Sequence, residues 1–90
     1  MHEASLMKGL MKQLQNIVTA EDALRVTGVS VWLGALSHMS RAHFTEHFNE
    51  AATGTPAEGA RLTITLSEDT GHPDAMEIIL EDVEVETGDP

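Results

Sequence analysis

An apolar stripe with helical spacing runs through residues 4–19. Its members recur at intervals of three and four residues: Leu6, Met7, Leu10, Met11, Leu14, Ile17 and Val18. This spacing predicts an amphipathic helix. Gly9 lies inside the stripe, where glycine costs about 1 kcal/mol relative to alanine. We therefore interpret Gly9 as a point of close packing against a neighbouring element.

Three later segments alternate between apolar and polar residues, which is typical of half-buried strands. After a turn at 20–24, the first predicted strand covers residues 25–36 and is broken by Gly34. The other two cover residues 60–67 and 76–86, with a turn at 68–75 between them. In the last strand the alternation changes parity, and a β-bulge near 81–82 would keep both apolar sets on one face.

Between the first two strands the pattern predicts a second helix over residues 41–52. Phe44 and Phe48 lie one helical turn apart on its apolar face. Ser40 is suited to cap the N-terminus of this helix. The glycine and proline within 53–56 are typical of a helix end.

The predicted order is therefore α-β-α-β-β in one domain of residues 1–90. The strand–helix–strand unit at 25–67 implies a right-handed crossover with parallel strands. We expect the last two strands to form an antiparallel hairpin. The predicted fold class is α+β, with two helices packed on one face of a three-stranded mixed sheet.

Charge and composition exclude several functional classes. The 90 residues contain 15 acids and 5 Lys plus Arg, which gives a net charge of −10 and argues against nucleic-acid or anionic-membrane partners. The absence of cysteine excludes disulfides and thiolate chemistry. Phosphate-binding loops, nucleophile elbows and dinucleotide fingerprints are also absent, so we do not expect an enzyme. With no membrane span or signal peptide, a soluble cytoplasmic protein is expected.

Nine of the acids lie in residues 68–90, which contain no Lys or Arg. They suit either a solvated face or electrostatic steering of a basic partner or of cations. Glu77, Glu81, Glu84 and Glu86 follow one strand rather than converging in a loop. We therefore expect no tight site for a hard cation such as Ca²⁺.

Histidine is the residue type that suggests metal chemistry. His43 and His47 are four residues apart on the second predicted helix, which places both on one face. Two imidazoles so placed can chelate Zn, Ni or Cu, or they can be ordinary polar neighbours of the phenylalanine stripe.

His2 offers a different kind of site. The α-amine of Met1, the His2 amide nitrogen and His2 Nδ1 are consecutive donors that can close adjacent chelate rings in one plane. Planar nitrogen donors suit square-planar or tetragonal Ni(II) and Cu(II). A histidine also occurs at position 2 by chance, and it would then be a plain helix-start residue.

One face of the predicted sheet has no helix to cover it. Trp32 points away from the face formed by Val29, Val31 and Leu33, and Ile79 has the opposite parity to its apolar neighbours. Because tryptophan is common in binding hot spots, we predict that Trp32 and Ile79 contact a partner or a second copy. A tolerated surface apolar residue is the alternative.

Several segments, in order, resemble one known family. Residues 54–62 read Gly-Thr-Pro-Ala-Glu-Gly-Ala-Arg-Leu, close to a Gly-Thr-x-Ala-Glu-Gly-x-x-Leu segment of the HypA/HybF nickel metallochaperones of hydrogenase maturation. The opening Met1-His2-Glu3 also resembles that family. Further similar segments are residues 25–29, 33–37 and 77–85, together with Phe44 and Phe48.

The resemblance implies a nickel-binding accessory protein rather than an enzyme. In that family the N-terminal amine, the next amide and the histidine at position 2 bind Ni(II), which corresponds here to Met1 and His2. Glu3 and His38 are the candidates for a fourth ligand. The implied partners are a maturation GTPase and the hydrogenase large subunit, and a homodimer is a further candidate.

Two departures from the family pattern change what the resemblance implies. The family inserts a zinc domain with two Cys-x-x-Cys pairs between the last two strands, where this chain has only the turn at 68–75. We therefore expect nickel but no zinc. In the loop at 37–40, where some members carry an acid, this chain has His38. The alternative is a metal-free interaction or scaffold module derived from the same family.

Overall fold

The computed structural model describes the backbone of residues 2–88 and the side chains of residues 5–88. Its elements are α1 (His2–Glu21), β1 (Ala23–Leu33), α2 (Arg41–Ala52), β2 (Arg61–Leu66) and β3 (Ile78–Thr87). The predicted element order is confirmed, and the bounds of α2 agree residue for residue. The first turn is shorter than predicted, because Asp22 alone, with a left-handed φ of 52°, separates α1 from β1.

The sheet has the strand order β2-β1-β3. β1 and β2 are parallel, as predicted, but β3 pairs antiparallel with β1 rather than with β2. The predicted hairpin between the last two strands is therefore wrong. β1 is the central strand, with β2 paired along one edge and β3 along the other.

The segment between β2 and β3 crosses the end of the central strand. The Ser67 amide donates to the Leu33 carbonyl at 2.9 Å, and the Gly34 amide donates to the Glu77 carbonyl at 2.9 Å. A Cβ at Gly34 would collide with the backbone of Asp74 and Ala75. Glycine at position 34 thus ends β1 and lets the crossing segment pass.

Gly9 is in a different environment. A Cβ built at Gly9 would meet nothing within 4 Å, and the residue is exposed. The interpretation of Gly9 as a point of close packing is therefore wrong.

The predicted bulge in the last strand is confirmed. Ser30 pairs with Asp82 while the next residue, Val31, pairs with Leu80, so Glu81 is the extra residue of β3. The bulge restores the parity of the strand, and Leu80 and Val83 both pack against the core.

Both helices cover one face of the sheet, and the core lies between these two layers. The largest fully buried side chains come from both helices and from β1: Phe44, Phe48, Leu14, Leu33, Val26, Val29 and Val31. Ser40 caps α2 as predicted, since its Oγ accepts a hydrogen bond from the His43 amide at 3.0 Å. Among the described residues, no helix has both the length and the apolar character needed to cross a membrane.

Candidate metal-binding sites

The predicted N-terminal chelate includes the residue at which α1 begins. The helix begins at His2, so the His2 amide belongs to the first turn, where amide hydrogens have no intrahelical acceptor. Met1 and the side chains of His2 and Glu3 lie outside the described part of the chain. The predicted ligand set of this site therefore stays a prediction.

The fold brings the start of α1 to the same end of the sheet as the loop after β1. Ser5 and Leu6 border a groove with Ile78, the first residue of β3. Ile78 pairs with Leu33, the last residue of β1, and the loop containing His38 follows directly. The start of α1 and this loop therefore lie at the same end of the sheet.

His38 occupies an unusual place in that loop. Its φ is 61°, in the left-handed region that histidine enters more often than most residues with a side chain. The side chain is exposed, whereas the following Met39 is buried and anchors the loop in the core. His38 is thus presented to solvent by a segment that is tied down on both sides, at Leu36 by a hydrogen bond to the Ala75 carbonyl and at Met39 by burial.

His43 and His47 are brought together as predicted. Their ring centroids are 4.5 Å apart with the planes inclined at 56°, and both side chains are half-buried. The buried Phe44 and Phe48 fix the rotation of α2 in the core, and this fixes the side of the helix on which the histidines lie.

Within residues 5–88, no three His, Asp or Glu side chains converge as a metal cluster. The acids of β3 are instead spread along an exposed edge. Two of them form surface ion pairs, Glu86 with Arg25 at 2.5 Å and Glu84 with Arg61 at 2.6 Å. The fold therefore brings two histidines together, but it assembles no larger ligand group in the part of the chain with described side chains.

The helix-free face of the sheet is polar at one end and apolar at the other. At the polar end, the Arg61–Glu84 ion pair crosses the central strand directly over Gly28, where any side chain would meet Glu84. At the apolar end, Trp32 pairs with Ile79, which is 36% exposed. The predicted parity of both residues is confirmed, and their role in partner contact stays a prediction.

His72 has a role that the sequence pattern did not indicate. Its ring lies against Trp32 with a centroid distance of 4.9 Å, and its Nδ1 accepts a hydrogen bond from the Asp74 amide at 2.9 Å. The ring therefore covers part of Trp32 from within the same chain. The His-Pro-Asp run favours the local turn, because a side-chain acceptor lies two residues before an amide, but it carries no signal for the contact with Trp32.

The motif at 54–62 proves to be a structural turn. The Glu58 carboxylate accepts from the Gly54 amide at 3.1 Å, and the Thr55 hydroxyl donates to the Ala52 carbonyl at 2.7 Å. The Pro56 carbonyl accepts from the Val26 amide at 2.9 Å, which fastens the turn to β1. Gly54 and Gly59 both have a positive φ, which explains why glycine occupies these two positions. The motif is therefore a feature of the fold rather than a sign of a binding site.

Comparison with known proteins decides the family. A family model described as "Hydrogenase/urease nickel incorporation, metallochaperone, hypA" matches residues 1–72. The chain belongs to the HypA family. That family is one of metallochaperones, which agrees with the expectation that the chain is not an enzyme.

Individual HypA proteins agree with the assignment. A hydrogenase maturation factor HypA from Methylocella silvestris is 35% identical over 66 residues, which is 73% of this chain and 58% of that relative. The chain thus spans somewhat more than half the length of this curated HypA protein. The solution structure of the nickel metallochaperone HypA from Helicobacter pylori matches with a TM-score of 0.77 and 17% identity, over 94% of this chain and 97% of that one.

A second solution structure of a HypA protein matches with a TM-score of 0.74 and 19% identity, over 94% of this chain and 96% of that chain. At these identities the two structures show the HypA fold alone. They confirm the predicted fold class of two helices on a three-stranded mixed sheet.

Proposed function

We propose that this chain is a nickel-binding accessory protein that delivers Ni(II) during maturation of a nickel enzyme such as [NiFe]-hydrogenase. The observation that carries the proposal is the family-model match over residues 1–72, which includes the opening Met1-His2-Glu3. Nickel is cargo here, so the site has to bind it and also release it.

The proposed ligands are the Met1 amine, the His2 amide nitrogen and His2 Nδ1. The helix start supports this set, because an amide in the first turn gives up no intrahelical hydrogen bond when a metal replaces its proton. His38 is the first choice for the fourth ligand, since its loop lies at the same end of the sheet, and Glu3 is the second.

The proposed partners are those the family implies, a maturation GTPase and the hydrogenase large subunit. The proposal also keeps the chain as a single nickel-type domain over residues 1–90 that takes no zinc. Its support is that the sequence has no cysteine and that an 11-residue segment, residues 67–77, joins β2 to β3. Neither cytoplasmic location nor a homodimer is needed for the proposed role.

Nickel titration calorimetry on three proteins tests the proposed site. These are the native chain with a free Met1 amine, His2→Ala, and the native chain with one residue added before Met1. We expect the native chain to bind one Ni(II) tightly through the Met1 amine, and we expect this tight binding to be absent from the other two. The extension moves the amine out of the chelate without removing any side chain, so it isolates the chain end.

The control measurement is the free energy of unfolding of the two altered proteins, which should differ little from that of the native chain. A surface change at a helix start usually stays within about 0.5 kcal/mol. Nickel affinity of the native chain should also fall as the pH drops from about 8 to 6, because protons then compete for the amine and the imidazole. An extended protein that binds nickel as tightly as the native chain refutes the N-terminal site.

The second candidate function is a metal-free interaction module. The observation that favours it is the exposed pairing of Trp32 with Ile79 on the helix-free face. Under this candidate, nickel titration shows no binding that depends on the Met1 amine or on His2, while partner binding depends on Trp32.

A further inference from the structure

α2 carries a pair of imidazoles that the N-terminal site does not use. His43 and His47 lie one helical turn apart, with ring centroids at 4.5 Å. Among the described residues, neither ring takes part in a hydrogen bond. Both rings are half-buried, so their positions are restricted without being shielded from solvent.

The ring separation is compatible with a shared metal ion. With metal–nitrogen bonds of about 2.0–2.1 Å, two imidazoles bound at adjacent positions of one ion have centroids about 4.5–5.2 Å apart. The observed 4.5 Å lies at the edge of that range. The two rings can therefore bind one ion at about their present separation.

The surroundings favour a cation and leave its coordination incomplete. Glu46 and Glu50 each follow one of the histidines by three residues, so their exposed carboxylates lie near the same side of the helix. They raise the local cation concentration. Two protein ligands leave further positions to water or to an incoming ligand, which is the condition for rapid exchange.

We propose that His43 and His47 form a second metal site, separate from the N-terminal chelate, that holds a borderline divalent ion such as Zn²⁺, Cu²⁺ or Ni²⁺. Imidazole is a preferred ligand of these ions, whereas hard cations such as Ca²⁺ and Mg²⁺ select oxygen. The site does not depend on the proposed function, because it needs neither the Met1 amine nor His2.

The test uses the full chain with one residue added before Met1, which disables the N-terminal chelate. Zn²⁺ and Ni²⁺ are titrated separately, by calorimetry and by thermal unfolding. We expect one ion per chain and a saturable rise in melting temperature, since the ion links two turns of the folded helix. His43→Gln and His47→Gln should each weaken binding by at least about tenfold, because loss of even an outer-shell partner typically costs that much.

His38→Gln in the same extended chain is the matched control and should bind like its parent. Helix content measured without metal shows whether each variant has folded. As a second readout, the imidazole NMR signals of the extended parent should shift for His43 and His47 and not for His72. The proposal is overturned if the extended parent binds no ion saturably, or if the signals of these two rings do not move.

Discussion

Gly34 shows how a single residue controls the path of the chain. It lies where residues 67–77 cross the end of β1, and a methyl group there would collide with backbone atoms of Asp74 and Ala75. Backbone atoms cannot move aside as a flexible side chain can. The absence of a side chain at Gly34 is therefore a condition for placing β3 on the far side of β1.

Gly34→Ala should lower the free energy of unfolding by about 1–3 kcal/mol, the usual cost of overpacking. Gly9→Ala is the matched control, because Gly9 is exposed in α1 with nothing within 4 Å of a new methyl group. That change should raise stability by up to about 1 kcal/mol through helix propensity. Urea denaturation measures both, and equal effects of the two substitutions would contradict this account of Gly34.

At the scale of the element, α2 is defined by its two ends and its apolar face. Ser40 accepts a hydrogen bond from the His43 amide at the N-terminus, and Gly54 takes a left-handed conformation shortly after the C-terminus. Phe44 and Phe48 are fully buried between them. These local signals explain why the predicted and observed bounds of α2 coincide.

Ser40→Ala should cost about 1 kcal/mol of stability, because the His43 amide loses its acceptor. Ser40→Asp is the control, since a carboxylate can accept the same hydrogen bond and is favoured at a helix N-terminus. Thermal unfolding of the two variants beside the parent provides the measurement. A melting temperature of Ser40→Asp as low as that of Ser40→Ala would show that the cap contributes little.

For the whole molecule, the helix-free face of the sheet is the candidate surface for association. Trp32 is half-buried there by His72 and pairs with the exposed Ile79. If this face contacts a second copy or a maturation partner, Trp32→Ala should lower the oligomeric mass or weaken that binding. Sedimentation and direct titration of the partner measure the two cases, with Thr63→Ala on the same face as control. No change in either measurement rejects the interface.

The distribution of charge over the molecule leads to a further expectation. The net charge is −10, yet the acids of β3 lie along an exposed strand, and Glu84 and Glu86 are already paired with arginines. Because Ca²⁺ needs six to eight converging oxygens, it should leave the melting temperature almost unchanged beyond general screening. The control is Mg²⁺ at the same ionic strength. A large saturable rise with Ca²⁺ alone would contradict the expectation.

The candidate sites were predictable from the sequence to different degrees. The i, i+4 spacing places His43 and His47 on one face of any helix, and the rings are indeed adjacent. The resemblance proposes His2 as a ligand, but its side chain lies outside the described part of the chain, so this assignment stays a prediction. The role of His72 could not be predicted, because its contact with Trp32 joins residues 40 positions apart across the end of the sheet.

The sequence by itself determined the elements, because periodicity, caps and turn glycines act within a few residues of each other. It determined even the bulge at Glu81, since a change in apolar parity has to be absorbed within the strand. Only the tertiary structure decided that β3 pairs with β1, that Gly9 is open and that Gly34 is tightly enclosed. The physical reason is that the environment of each of these residues depends on which distant segment of backbone packs beside it. Alternation of apolar and polar side chains shows which face of a strand is buried, but not which neighbouring strand it pairs with.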